Sequence, residues 1–219
     1  MAEKEEIKKE IEGLLYADSR VNPDTITVEM ADGRVVLNGT VNSLAALNAV
    51  EDTVRSFHQI TFVENRLKIV YPGDADILTD ESVTKAVKIS LKLNCNINDE
   101  FVGVDVEEGV VELSGAVDSY WQKIECGNIV SNVTGVIQVI NKLSVVPVHK
   151  VEDFEIAEQI EAAMKRTGIV DTDYVTVKVE NGIVTLTGKV PHWNAYNSAE
   201  FAAKHTKGVI DVRNELILA

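Results

Sequence analysis

Hydrophobic and polar positions along the chain follow two periods that alternate three times. Ile7, Ile11, Leu14 and Leu15 recur at i, i+4, i+7 and i+8, the spacing of an amphipathic helix. The same spacing returns at Val83, Val87, Ser90 and Leu91, and again at Ile156, Ile160, Ala163 and Met164. Acidic residues crowd each of these starts, where negative charge suits the helix dipole. Strict alternation comes next, at Ile26, Val28 and Met30, at Val102, Val104 and Val106, and at Val175, Val177 and Val179, which predicts a strand with one buried face. Each strand runs into Asp32-Gly33, Glu108-Gly109 or Asn181-Gly182, pairs in which glycine accepts the positive φ of a two-residue hairpin loop. Such a loop pairs Met30 with Val35, Val28 with Leu37 and Ile26 with Gly39, so the apolar residues of both strands share one face. A slip of one residue would send them to opposite faces.

A second helix then starts near Asn42 or Ser43, Asp118 or Ser119, and Pro191. Its core stripe is Val50, Thr53, Val54 and Phe57, then Cys126, Ile129, Val130 and Val133, then Ala199, Ala202, Ala203 and Thr206. A last strand carries Val63, Asn65, Leu67 and Ile69, matched by Val139, Asn141, Leu143 and Val145 and by Val212, Asn214, Leu216 and Leu218. The predicted fold class is therefore α+β: three tandem αββαβ modules, each a three-stranded sheet packed against two helices. Boundaries at 1–72, 77–147 and 151–219 follow, because all differences in length fall in the linkers.

Two residue types recur in phase within this pattern. Gly39, Gly115 and Gly188 lie 76 and 73 residues apart, and Asn65, Asn141 and Asn214 keep the same offsets. In the hairpin register the glycines point to the core, where a missing side chain is expected to let a helix approach the sheet. The asparagines sit in the apolar phase of their strands and must find hydrogen-bond partners. They are read as structural amides tying the strand to a neighbouring loop, with a ligand site as the alternative.

Composition changes the picture mainly by exclusion. Net charge is −14 over 219 residues, and no segment forms a basic arm, so a nucleic-acid partner is not expected. Met1 to Glu6 is charged where a signal peptide needs an apolar run, and no stretch approaches the roughly 18 apolar residues of a membrane span. If Met1 is the native start, a cytoplasmic location is expected; a leader removed ahead of it would make the location periplasmic. Cys95 and Cys126 are in no C-x-x-C pairing and are read as small buried residues of the middle module.

Catalytic constellations are not found, and no enzyme activity or cofactor is expected. His58, His149, His192 and His205 occupy different module positions without metal-ligand spacing and are read as surface or linker residues. Asp74, Asp76 and Asp80 resemble part of a calcium loop but lack its glycine and closing glutamate, so acids at a helix start are the preferred reading. Two surface features stand apart from the core pattern. Lys85, Lys88 and Lys92 lie at i, i+3 and i+7 on the first helix of the middle module, away from its apolar stripe. They suit lipid phosphates, or else form a solvated face. Leu44 and Leu47, Trp121 and Ile124, and Trp193 and Tyr196 are apolar pairs on the second helices outside the core stripe. Packing between modules is the preferred reading, and an oligomer contact or a partner peptide is the sharper one.

The αββαβ order, the hairpin turn, the strand ending Leu-x-Gly-x-Val and the closing Gly-Val-x-x-Val-x-Asn-x-Leu resemble the BON domain of bacterial envelope and stress proteins. Gly208 to Leu216 fits best and Gly135 to Leu143 nearly as well, whereas Gln59 stands where the other copies have glycine, so the turn before the first module's last strand is expected to differ. The resemblance implies a non-enzymatic binding or scaffold protein of an osmotic or envelope stress response, contacting anionic phospholipid surfaces or protein partners. Its alternative is a cytoplasmic potassium-binding or cation-sensing role, also drawn from the family.

Overall fold

The computed structural model describes residues 2–31, 33–57, 59–60, 62–71 and 79–218. Asp32, His58, Asp74 and Asp76 lie outside the described residues. The first module runs α1 (Ala2–Ala17), β1 (Ile26–Ala31), β2 (Arg34–Val41), α2 (Leu44–Arg55) and β3 (Phe62–Ile69). The second runs α3 (Asp80–Leu93), β4 (Val102–Glu107), β5 (Val110–Val117), α4 (Tyr120–Ser131), β6 (Gln138–Asn141) and β7 (Ser144–Val145). The third runs α5 (Asp153–Thr167), β8 (Val175–Glu180), β9 (Ile183–Val190), α6 (Trp193–Lys204) and β10 (Asp211–Leu218).

In each sheet the second hairpin strand is central. β1 lies antiparallel to β2 and β3 parallel to it, and β8, β9 and β10 repeat this arrangement. The parallel pair needs a crossover, which the second helix supplies. The hairpin register is the expected one, with Met30 opposite Val35, Val28 opposite Leu37 and Ile26 opposite Gly39. Val179, Val177 and Val175 face Val184, Leu186 and Gly188 in the third module. Glu108 and Gly109, like Asn181 and Gly182, take φ values of 50, 76, 51 and 75°, so both turns are of the left-handed type that matches strand twist. In the second module the last strand breaks into β6 and β7.

The first core gathers Ile11, Leu15, Val28, Val35, Leu37, Val50, Val54 and Leu67 from all its elements, and the third gathers Ile156, Ile160, Met164, Val184, Leu186 and Ala199. One position of the first helix departs from expectation, because Leu14 is 46% exposed. The buried stripe is 7, 11 and 15, centred on Ile11; at about 100° per residue Leu14 lies roughly 60° off that centre. Ser43 and His192 cap the second helices by accepting the N–H groups of Ala46 and Ala195 at 3.1 Å each, and Ser119 accepts that of Gln122 at 3.2 Å.

The strand glycines serve a different contact from the one expected. Gly39, Gly115 and Gly188 have φ of 127, 102 and 131°, and a Cβ on any of them would run into the backbone carbonyl of Thr25, Phe101 or Tyr174. What approaches closely is the short turn segment entering the hairpin, not an α-helix. Gln59 also breaks the repeat: Gly135 and Gly208 take φ of 98 and 87°, whereas Glu108 and Asn181 are the non-glycine residues with positive φ among those described.

Candidate functional site

Helix α3 carries a surface where basic and apolar side chains are mixed in the open. Val83, Val87 and Leu91 are buried, which turns Lys85, Lys88, Ile89, Lys92 and Leu93 outward. Ile89 and Leu93 are 58% and 79% exposed. At about 100° per residue the lysines take one flank of the outward face and the two apolar residues the other. Lys85 pairs with Glu81 at 2.7 Å in an exposed i, i+4 bridge, while Lys88 and Lys92 meet no carboxylate among the described residues. Residues 73–148 hold 5 basic groups against 12 acidic, and three of the five stand on this face. Corresponding positions are Lys9, Glu12, Gly13, Tyr16 and Ala17 on α1 and Glu158, Glu161, Ala162, Lys165 and Arg166 on α5, so neither repeats the pattern.

The first residue of α3 has a role that sequence reasoning missed. Asp80 Oδ2 and Oδ1 accept the N–H groups of Glu108 and Gly109 at 2.9 and 3.0 Å, tying the helix start to the hairpin turn. Asp153 repeats this with Asn181 and Gly182 at 2.7 and 2.9 Å. The shared 28- and 29-residue spacing from acid to turn was the available signal. These acids accept backbone donors and hold the helix start to the turn.

The asparagines also hold backbone. Lys142 N and Val146 N donate to Leu113 and Val117 at 2.8 Å each, so strand alternation turns the intervening Leu143 N–H outward. Asn141 Oδ1 accepts that N–H at 3.2 Å while its Nδ2 donates to the Lys123 carbonyl on α4 at 2.6 Å. Asn65 does the same for Leu67 at 3.0 Å and reaches Glu51 on α2 at 3.0 Å. Asn214 accepts from Leu216 at 3.2 Å, but its buried Nδ2 has no partner among the described residues. Each amide thus binds an edge N–H of its own strand, and in two modules a helix, in place of the loop that was expected.

The aromatic positions need realignment. Counted from the strand glycines, Leu44, Tyr120 and Trp193 are equivalent, so Trp121 is one residue out of phase with the other two helices. Tyr120 packs against the core of the third module. Burial, with Asp211 and Glu200 nearby, raises its hydroxyl pKa above the ordinary value, and a Val212 backbone hydrogen bond opposes this. Leu44 is buried, Leu47 packs on the first core, and Trp121 and Ile124 are half-buried. Trp193 meets Tyr196 edge-on at 5.0 Å, and Tyr196 rests on its own core. Tyr71 makes another link, donating its hydroxyl to the Val136 carbonyl at 2.5 Å.

Cys126 is buried and its thiol is pushed up to about 11 by that burial, with Glu125 adding to the shift. Cys95, expected in the core, is exposed. His149, His192 and His205 are exposed, the last stacked on Phe201 at 3.9 Å.

Three αββαβ units with common cores and unlike surfaces define a tandem α+β repeat protein. The family model for the BON domain matches residues 3–71, 79–147 and 152–219, and the chain belongs to this family. Osmotically-inducible protein Y of Escherichia coli (strain K12) is 31% identical over 147 residues, covering 64% of this chain and 73% of that protein. Among solved structures, CdsD, a structural protein of the type III secretion system of Chlamydia trachomatis, is 16% identical with coverage of 98% and 92% and a TM-score of 0.27. The periplasmic domain of the inner membrane protein PrgH from S. typhimurium is 13% identical with coverage of 97% and 100% and a TM-score of 0.24. Scores this low carry no argument about this chain. Among the described residues no helix is long and apolar enough to cross a membrane.

Proposed function

We propose that this chain is a non-enzymatic protein of a bacterial osmotic or envelope stress response that meets anionic phospholipid surfaces through the outward face of α3. One observation carries the reading: Lys85, Lys88 and Lys92 flank exposed Ile89 and Leu93 on a helix of an otherwise acidic module. Near an anionic surface each lysine contributes about 1 kcal/mol. Inserting Ile89 and Leu93 below the headgroups adds apolar burial worth about 1.5–3 kcal/mol per side chain when complete. Together these give reversible, salt-sensitive attachment, with the rest of the −14 chain held off the surface by repulsion. The stress assignment is supported by the osmotically inducible relative.

The test is sedimentation with phosphatidylglycerol vesicles and with phosphatidylcholine vesicles at low salt. Binding to the anionic vesicles only, weakened by salt, is expected. Replacing Lys85, Lys88 and Lys92 together by Glu is expected to abolish it, and Ile89→Ser with Leu93→Ser to weaken it about tenfold or more. No binding at low salt, or undiminished binding by the Glu variant, would overturn the reading.

A further inference from the structure

Five residues after each strand glycine, at the start of the second helix, stands an apolar side chain: Leu44, Tyr120 and Trp193. Leu44 is buried. Tyr120 reaches beyond its own module onto the third, beside Glu200, Asp211 and Val212. Trp193 is half-buried, lies edge-on to Tyr196, and its indole N–H has no acceptor among the described residues.

The surface that receives Tyr120 also has an unmatched counterpart. Repeat spacing places Glu51, Phe62 and Val63 of the first module where Glu200, Asp211 and Val212 stand in the third. Phe62 is 49% exposed, with the Arg34 guanidinium 4.5 Å above its ring. An exposed ring beside a guanidinium is chemically matched to a second aromatic pair, which adds edge or offset stacking and shares the cation.

We propose that the Trp193–Tyr196 face of one copy seats on the Glu51–Phe62–Val63 patch of a second copy, head to tail, repeating between molecules the joint that Tyr120 makes within the chain. The two surfaces differ, so the contact is heterologous and each molecule keeps one free donor face and one free receiver. This inference does not depend on lipid binding. Its salt dependence is opposite: screening the −14 net charge of two copies strengthens self-association.

Sedimentation equilibrium of the full chain, from about 1 mM down to about 10 µM, tests it in the range where a joint of a few residues dissociates. Wild type is expected to show mass above 24.0 kDa that falls with dilution and rises with salt. Phe62→Glu and Trp193→Glu, each alone, are expected to stay at monomer mass. Mixed in equal amounts they are expected to form a dimer of twice that mass, because each variant keeps the face the other lacks. Arg34→Ala, a surface change that spares the core, is expected to weaken association about threefold to tenfold. Wild type that stays monomeric throughout would overturn the proposal. So would single variants that associate as wild type does, or a mixture that remains monomeric while Arg34→Ala leaves wild-type association unchanged.

Discussion

At Gly188 the backbone sits at φ 131° and a Cβ would collide with the Tyr174 carbonyl, so Gly188→Ala combines strain with a backbone clash. We expect a loss of about 2–4 kcal/mol in denaturant unfolding. Gly13 is the contrast, since it lies within α1 with open space around it; Gly13→Ala is expected to stabilise by about 0.5–1 kcal/mol. Recurrence made both the glycines and the asparagines visible in the sequence. Their partners were not, because the Thr25, Phe101 and Tyr174 carbonyls arrive through a loop whose path has no periodic signature. Cys126 supplies a pH dependence. Its folded pKa of about 11 lies above the ordinary 9.0, so the fold favours the protonated thiol. That stability is fully present below about pH 9 and is lost as pH rises toward about 11. Unfolding measured across this window should show a steeper decline for wild type than for Cys126→Ala, and a thiol reagent at pH 8 should modify Cys95 while sparing Cys126 until the chain unfolds.

Among elements, periodicity and turn chemistry made the helices, hairpins and hairpin register legible, because each is set by residues close in sequence. Sheet order was not, since the parallel placement of β3 and β10 depends on contacts across a whole helix. Nor was the tie from Asp80 and Asp153 to the hairpin turns, which looked like dipole chemistry and is a pair of charge-assisted hydrogen bonds. Asp153→Ala strands two turn N–H groups and is expected to cost about 1.5–3 kcal/mol in thermal or denaturant unfolding. Lys4 holds the equivalent position in the first module and cannot accept such bonds.

Across the whole molecule, three cores are alike and the surfaces diverge, and the proposed membrane contact lies in that divergence. Core positions such as Ile11, Val87 and Ile160 are equivalent and fully buried, whereas the combined lysine and apolar pattern that faces outward on α3 is not repeated on α1 or α5. The lysine row was readable from spacing alone; Ile89 and Leu93 beside it were not singled out, because exposure of an apolar residue shows only once the buried stripe is placed. The most direct measurement is amide hydrogen exchange by mass spectrometry with and without phosphatidylglycerol vesicles. The account predicts added protection over residues 80–93, with α1 and α5 unchanged. Protection spread equally over the three first helices, or centred away from α3, would contradict it.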